Sequence, residues 1–518
     1  MVKKILSKRL PILLSYTLFL SAFIVVGAFF VSCGRNDIEE ASHEQNEYVD
    51  VEVEEYEISQ AMEEEIIDDY YNSGSTDIEE TPVETLQERS ERIERERLEF
   101  AQSITREQIL EDFDYMMAVL EENFPFFDLA YRRHGVDIRE EAQLFRSVLT
   151  DVSMPIDAQI FGVQLLWEFF NSIHWVGHVR AVDDFMYRIY MFHALSNPEE
   201  RWSTIRNERF TAHPSTFLFY GELDAYDMEI LAPHFEGTGY NPDSYTMYVI
   251  EDGNIAHIHV EMLFSASYTD RENLREFYER IADFNHLIID IRGNIGSGYP
   301  IFHELITAPH IHEPVYLDIA SFYIGGEQNL SLLEILYDPR FGENETLVER
   351  PSHFYRKTFT VTSENIVGRD GEPIFAGTEH LVWDDFNAFD YYIVGTINSV
   401  YPSDLDDLQS RFNGQLWLLT DSLSASISEN VVALYKQNDL AIIVGEQGRG
   451  IFMCRLLSSN YFALPNTGII IRYDVGYPVC RITGRPLEEG IPPHFTNRLG
   501  MDALQTTLEL IAEGAYRR

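Results

Sequence analysis

Ser426 lies in the run Trp417-Leu-Leu-Thr-Asp-Ser-Leu-Ser-Ala-Ser-Ile-Ser-Glu-Asn-Val-Val-Ala-Leu-Tyr435, in which an apolar strand gives way to small residues and then to a helix. A side chain at such a turn projects from the sheet edge, and the unpaired N–H groups of the helix start stand beside it, placed to stabilise an oxyanion. That is the setting of a nucleophilic hydroxyl. Ser422, Ser424 and Ser428 around it are of the type that makes turns and helix caps. Metal chemistry is poorly served. His303-Glu304-Leu-Ile-Thr307 begins like a zinc-protease helix but has threonine where a second imidazole belongs. His310-Ile-His312 has no cysteine or carboxylate cluster to complete a site. No phosphate-binding or dinucleotide glycine loop occurs, so neither a metal nor a nucleotide cofactor is expected.

The formal net charge of -48 over 518 residues offers no basic footprint for phosphates, which argues against DNA or RNA as partner. An apolar fraction of 45% and an aromatic fraction of 13% are ample for a core, and the length exceeds what one core supports. Lys3, Lys4, Lys8 and Arg9 precede an apolar stretch from Leu10 to Val31, followed by Ser32 and Cys33, the pattern of an export signal. An uncleaved membrane anchor is the alternative, since about 20 apolar residues span a bilayer. Either places the bulk of the chain outside the cytoplasm. Between Asn36 and Glu88 stand twenty Asp and Glu and no Lys or Arg, a composition that repels itself and reads as a disordered tether over 34–90. Cys454 and Cys480 are then the remaining cysteines, too few for a disulfide scaffold, with one bridge between them left open.

Helical periodicity marks an N-terminal lobe over 91–190. Thr105 and Gln108 have capping-box spacing ahead of a stripe of Ile109, Phe113, Met116, Met117 and Leu120, and a further helix is expected over about 156–171. A connecting segment, 191–245, follows. From Thr246 the texture turns β-rich: strands on either side of Asp252-Gly253 predict a hairpin. The apolar runs Leu287–Asp290, Leu416–Leu419 and Ala441–Val444, separated by helical stretches, predict a parallel sheet covered on both faces. The stretch 309–387 is irregular and aromatic, and is read as an insertion within a core of 246–518.

Three segments of this α/β region carry a family resemblance. Asp290-Ile-Arg292-Gly-Asn294-Ile-Gly296-Ser297-Gly298 resembles the aspartate-x-arginine-x-asparagine-x-glycine-glycine motif of the C-terminal processing (tail-specific) and tricorn-core serine peptidases. Ser426-Ile-Ser-Glu429, followed by Ala441-Ile-Ile-Val-Gly445-Glu446, is similar to the family's nucleophile segment and the strand end after it. Glu489-Gly-Ile-Pro-Pro493 and Gly500-Met-Asp502 resemble its closing pattern. Phe30-Val-Ser-Cys33 separately resembles a bacterial lipobox, which implies lipidation of Cys33.

The family resemblance implies a crotonase-like α/β core preceded by the helical lobe, with Ser426 as nucleophile. It also implies backbone N–H groups of Gly296 and Ile427 as the oxyanion hole, and Asp290, Arg292 and Asn294 as the scaffold of that turn. Many members use a lysine base, but here its position falls near Ile451, and Lys436 stands too far along its helix, roughly 15 Å from Ser426. Arg449 stays protonated and is no substitute. The family's other branch uses a histidine in a glycine-histidine context, which implies His178 of Val176-Gly177-His178 as general base, with His174 as fallback. A glutamate near the tail motif, Glu488 or Glu489, would orient it. The family's peptide-binding PDZ module has no room between lobe and core. The expectation is an extracytoplasmic lipoprotein serine endopeptidase acting on polypeptides. A catalytically silent binding protein of the same fold, or an unrelated solute or glycan binder, stands as the alternative.

Overall fold

The computed structural model describes residues 86–514 apart from 152–154, 222–244, 262, 264–267, 297–299, 337–353, 357–372, 374–385, 387, 403–411, 451–458 and 481–485. The export signal, Cys33, the body of the acidic tether, Ser297 and Cys454 fall outside the described residues. Contacts divide the chain at Pro82, and residues 83–518 form one compact unit.

That unit opens with four helices, α1 (Leu86–Ser103), α2 (Arg106–Asn123), α3 (Phe127–His134) and α4 (Ile138–Asp151). Thr105 caps α2 through both bonds of the expected box, with Gln108 N–H donating to Thr105 Oγ1 and Thr105 N–H to Gln108 Oε1. The stretch expected as one helix over 156–171 begins as a π-turn, Ile160–Leu165, and continues as α5 (Leu166–Ser172). Strand β1 (Arg180–Ala181) follows, then α6 (Asp184–Ser196), α7 (Arg201–Phe210) and α8 (Pro214–Tyr220). Helical structure therefore continues through half of the segment read as a connection.

The hairpin β2 (Tyr245–Glu251) and β3 (Ile255–Val260) turns at Asp252-Gly253. Next come α9 (Tyr268–Ile281), β4 (His286–Asp290), β5 (Val315–Tyr323), α10 (Glu327–Leu336), β6 (Phe354–Arg356), β7 (Tyr391–Val400) and β8 (Gln415–Thr420). The chain ends with α11 (Ile427–Gln437), β9 (Ile442–Gly445), β10 (Ser459–Ala463), β11 (Ile470–Asp474), β12 (Tyr477–Cys480), β13 (Phe495–Thr496) and α12 (Ala503–Glu513).

The architecture is mixed α/β. The six-stranded sheet runs β13-β9-β8-β4-β3-β2, parallel throughout except for the β2–β3 hairpin. Its central strands are buried, β4 along its whole length and β8 at every residue after Gln415, as apolar runs without alternation require. A four-stranded antiparallel sheet runs β12-β5-β7-β6. Strands β5 and β6 and helix α10 occupy part of 309–387, so this stretch supplies two strands of the antiparallel sheet that β7 and β12 complete from outside it; most of β5 is buried on both faces, which hides the alternation that marks a strand. The third sheet, β1-β11-β10, is antiparallel.

Asp112 of α2 ties the lobe to the β10–β11 turn. Its carboxyl accepts from Asn466 N–H at 2.9 Å, and, both inside the protein, from Thr467 N–H at 2.7 Å and Thr467 Oγ1 at 2.6 Å. Removing the acceptor leaves the Thr467 donors buried and unpaired. Asp112→Ala is therefore expected to lower unfolding stability by about 3 kcal/mol, read as a fall in the urea midpoint.

Candidate active site

Ser426 stands between the carboxyl end of β8 and the first turn of α11, the crevice where parallel sheets bind their ligands. Its backbone is at φ 58° and ψ -121°, a conformation costly for a residue with a Cβ and held here by its surroundings. Ser426 N–H donates to Gly450 C=O at 2.8 Å, and Ala425 N–H donates to Asn294 C=O at 3.1 Å. The hydroxyl is thereby aimed out of the sheet and stays partly accessible.

His178 reaches it from the lobe. Its Nε2 lies 3.2 Å from Ser426 Oγ, and its Nδ1 lies 2.5 Å from Asp474 Oδ2. The sheet explains the second contact. β1 and β11 pair antiparallel with Arg180 opposite Arg472, so continuing two residues sets His178 opposite Asp474. The imidazole is brought round by an unusual loop in which His174, Trp175, Gly177 and His178 all have positive φ. Gly177 is required there twice over: its φ is +58°, and a Cβ would come within 2.4 Å of the Phe126 ring.

Burial lowers the His178 pKa below the ordinary 6.5; Asp474 opposes that, while Arg472 and Arg180 push the same way as burial. Burial alone would raise the Asp474 carboxyl, but the His178 ring and its hydrogen bond, Arg472 and Ser459 outweigh it and hold the group below its usual range. A neutral imidazole held between a hydroxyl and an ionised carboxylate is an arrangement for taking the hydroxyl proton.

Glu488 is not at the ring. It lies in the turn Leu487–Glu489, and its Oε1 accepts the N–H of Gly177 at 2.6 Å, while its backbone carbonyl accepts from Arg133. It holds the histidine loop rather than the histidine, because Nδ1 is already occupied by Asp474. Asp474 escaped sequence reasoning; its signal was a charged pair, Arg472 and Asp474, two apart in an otherwise apolar buried strand. His174 is exposed and stacks on His134, with ring centroids 4.1 Å apart. Lys436 donates to the Pro492 carbonyl.

The scaffold motif is built around Asn294. Its Nδ2 donates to the carbonyls of Val260 and Glu261 at 3.2 and 3.0 Å, and its Oδ1 accepts from Gly296 N–H and Ser428 Oγ, each at 2.9 Å. The Gly296 N–H is thus already engaged and is not an oxyanion donor in this geometry. Gly296 serves by absence instead: at φ +94°, an added Cβ would lie 2.8 Å from Ile427 N and 2.9 Å from Ser426 Cβ. Ile427 begins α11, where a first-turn N–H has no intrahelical acceptor, and no partner for it is found among the described residues. Asp290 accepts from Arg292 Nε at 2.9 Å and Nη2 at 2.7 Å and contacts His257 Nε2 at 3.3 Å. Burial raises the Asp290 carboxyl, but these partners bring it down to about 2. Arg292 also meets Asp502 at 3.2 Å, joining the turn to the start of α12.

The residues weighed for metal are dispersed. His303 Nδ1 meets Thr307 Oγ1 at 3.0 Å, Glu304 pairs with Arg271, and His310 is buried between Tyr278 and Phe412, its pKa lowered by burial to about 3. His312 is exposed. Among the described residues no group of three or more ligand-type side chains comes together.

Residues 343–496 match the family model of peptidase family S41. The matched segment holds Ser426 and Asp474, and begins inside the stretch read as an insertion; His178 lies before it. The search of curated proteins finds no match. Among solved structures, a Parabacteroides merdae protein described as a peptidase shares 14% identity at a TM-score of 0.42, covering 80% of this chain and 96% of its own. Mature CPAF shares 12% at 0.43, covering 80% and 96%. A Streptococcus agalactiae lipoprotein shares 10% at 0.34, covering 78% and 96%. Likenesses this distant leave the chemistry to the geometry and the matched segment.

Glu429, one turn into α11, braces the loop behind Ser426 by accepting from Ile491 N–H at 2.9 Å and Gly450 N–H at 3.3 Å. Burial pushes its carboxyl up from 4.5 to about 7. A raised carboxyl holds its proton in the fold where the unfolded chain has lost it, so its stabilising share is full below pH 4.5 and is lost as the pH rises through about 7. Glu429→Gln is expected to flatten that fall in chemical-denaturation midpoints measured across this window.

Proposed function

We propose that this chain, whose residues 343–496 match the model of peptidase family S41, is an extracytoplasmic serine endopeptidase held at the membrane as a lipoprotein through Cys33. The observation that carries the enzymatic reading is the unbroken contact chain Ser426 Oγ, His178 Nε2, His178 Nδ1, Asp474 Oδ2. The basic residues at 3–9, the apolar stretch before Cys33 and the acidic run after it support the location.

His178 Nε2 takes the proton of Ser426 as Oγ bonds to the carbonyl carbon of a peptide. The tetrahedral oxyanion receives the N–H of Ile427, and the new imidazolium is stabilised by Asp474. His178 passes the proton to the departing amine, leaving an ester on Ser426. A water, deprotonated by the same imidazole, attacks the ester, and the acid product leaves as Oγ regains its proton. Substrates are polypeptides in extended form. Asp290, Arg292 and Asn294 take no proton; they hold the turn that packs against the start of α11.

A fluorophosphonate probe tests this directly. Labelling is expected on wild type and absent from Ser426→Ala, with His178→Ala and Asp474→Asn each slowing it by about 100-fold or more. A folded wild type that neither labels nor cleaves casein would reject the enzyme in favour of a silent binding protein. Because the base works only when neutral and its pKa lies below 6.5, activity should persist at neutral pH and fall only as the pH drops below that value.

A further inference from the structure

The three-stranded sheet lays its polar residues out in two rows on one face. The register pairs Ser459 with Asp474, and the β1–β11 ladder, continued, sets His178 on the other side of Asp474. One step along the same face lie Arg180, Arg472 and Tyr461, with Arg472 opposite both of its neighbours. Arg472 is only 6% exposed. Its Nε donates to Ser459 Oγ at 2.8 Å, its Nη1 to Tyr190 OH at 3.4 Å, and its Nη2 stands 4.0 Å from Asp474 Oδ1. Ser459 Oγ donates in turn to that same Oδ1 at 2.6 Å. One carboxylate oxygen thus serves the histidine, and the other is held by Ser459 beside a buried guanidinium.

A carboxylate this deep needs a compensating positive charge. Two groups can supply it. If the imidazolium does so, the base is already protonated and cannot accept the serine proton. A guanidinium keeps its charge at every working pH, so the imidazole is released from that duty. We propose, on the premise of the peptidase reading, that Arg472 and Ser459 are positioning residues that neutralise and aim Asp474, so that His178 stays neutral beside it.

The other groups facing this cluster point the same way. Arg180 of β1 acts on the imidazole alongside Arg472. Arg206 of α7 lies over the Tyr190 ring, 4.7 Å from its centroid, and Tyr461 of β10 adjoins the same hydroxyl. Burial favours the neutral Tyr190 phenol, yet Arg472, Arg180 and Arg206 draw it below its usual value, which shows how cationic this side is. Asp474 is the carboxylate among the groups that act on Arg472. Removing the guanidinium therefore removes a repulsion on the imidazolium and leaves Asp474 dependent on it, both of which raise the His178 pKa.

The pH profile of probe labelling reads this out. Arg472→Met is expected to move the acid limb up by about one pH unit or more, so that labelling at a pH on the acid side of the limb falls roughly 10-fold and recovers on alkalinisation. Arg472→Lys keeps the charge and should restore the limb while losing the bond to Ser459. Ser459→Ala should move the limb in the same direction by less, and decides the matter if Arg472→Met does not fold. The His178 ring titration, followed by NMR in the Ser426→Ala background, reports the same shift without turnover. A loss of rate that is equal at all pH values, with limb and ring titration unmoved, would reduce these residues to packing. If wild type never labels, the peptidase reading fails, while the ring titration still decides this one.

Discussion

The contact between His178 Nδ1 and Asp474 Oδ2, at 2.5 Å, is the interaction on which the rest of this structure depends. It forms because two short strands distant in sequence pair in one register, Arg180 with Arg472, so that His178, two residues before β1, and the last residue of β11 face each other. A slip of one residue would turn these side chains to opposite faces and dissolve the site. Much of the neighbouring chemistry defends that register. Asp112 ties the β10–β11 turn to α2, Glu488 ties the histidine loop at Gly177, and Phe126 packs where only glycine leaves room.

Ser426 is held by a second and separate device. Asn294 joins the end of β3, the loop after β4 and the first turn of α11 through one amide group, and Ser426 keeps a strained backbone between a bond of its own N–H to Gly450 and a bond of Ala425 N–H to Asn294. Asp290, with Arg292 and His257, fixes the other end of the motif. The Asp290–Gly296 turn is thus a support: its charged residues pair with one another, and its glycine clears space. His178 arrives from the third sheet and Ser426 from the six-stranded one, so the site exists only where the two meet.

What could be read in the chain beforehand was local. The strand-to-helix break at Ser426, the capping box at Thr105, the turn at Asp252-Gly253 and the parallel run Leu287–Asp290 each follow from the chemistry of a few adjacent residues. The misreadings are as informative. Glu488 stands close in sequence to a matched motif, but its carboxyl reaches a backbone N–H, and Gly296 spends its own N–H on Asn294. The aromatic stretch at 309–387 hid β5, because a strand buried on both faces shows no alternation.

The sequence by itself determined that a serine would stand at a sheet edge with a helix start behind it, since small residues between an apolar strand and a helix leave the backbone few other options. It also supplied a histidine beside a glycine that can take a left-handed turn. Only the tertiary structure decided which carboxylate meets that histidine. Asp474 is separated from His178 by nearly three hundred residues, and no local rule distinguishes it from Glu488; the choice was made by strand register and by the buried arginine that lets an ionised carboxylate remain inside.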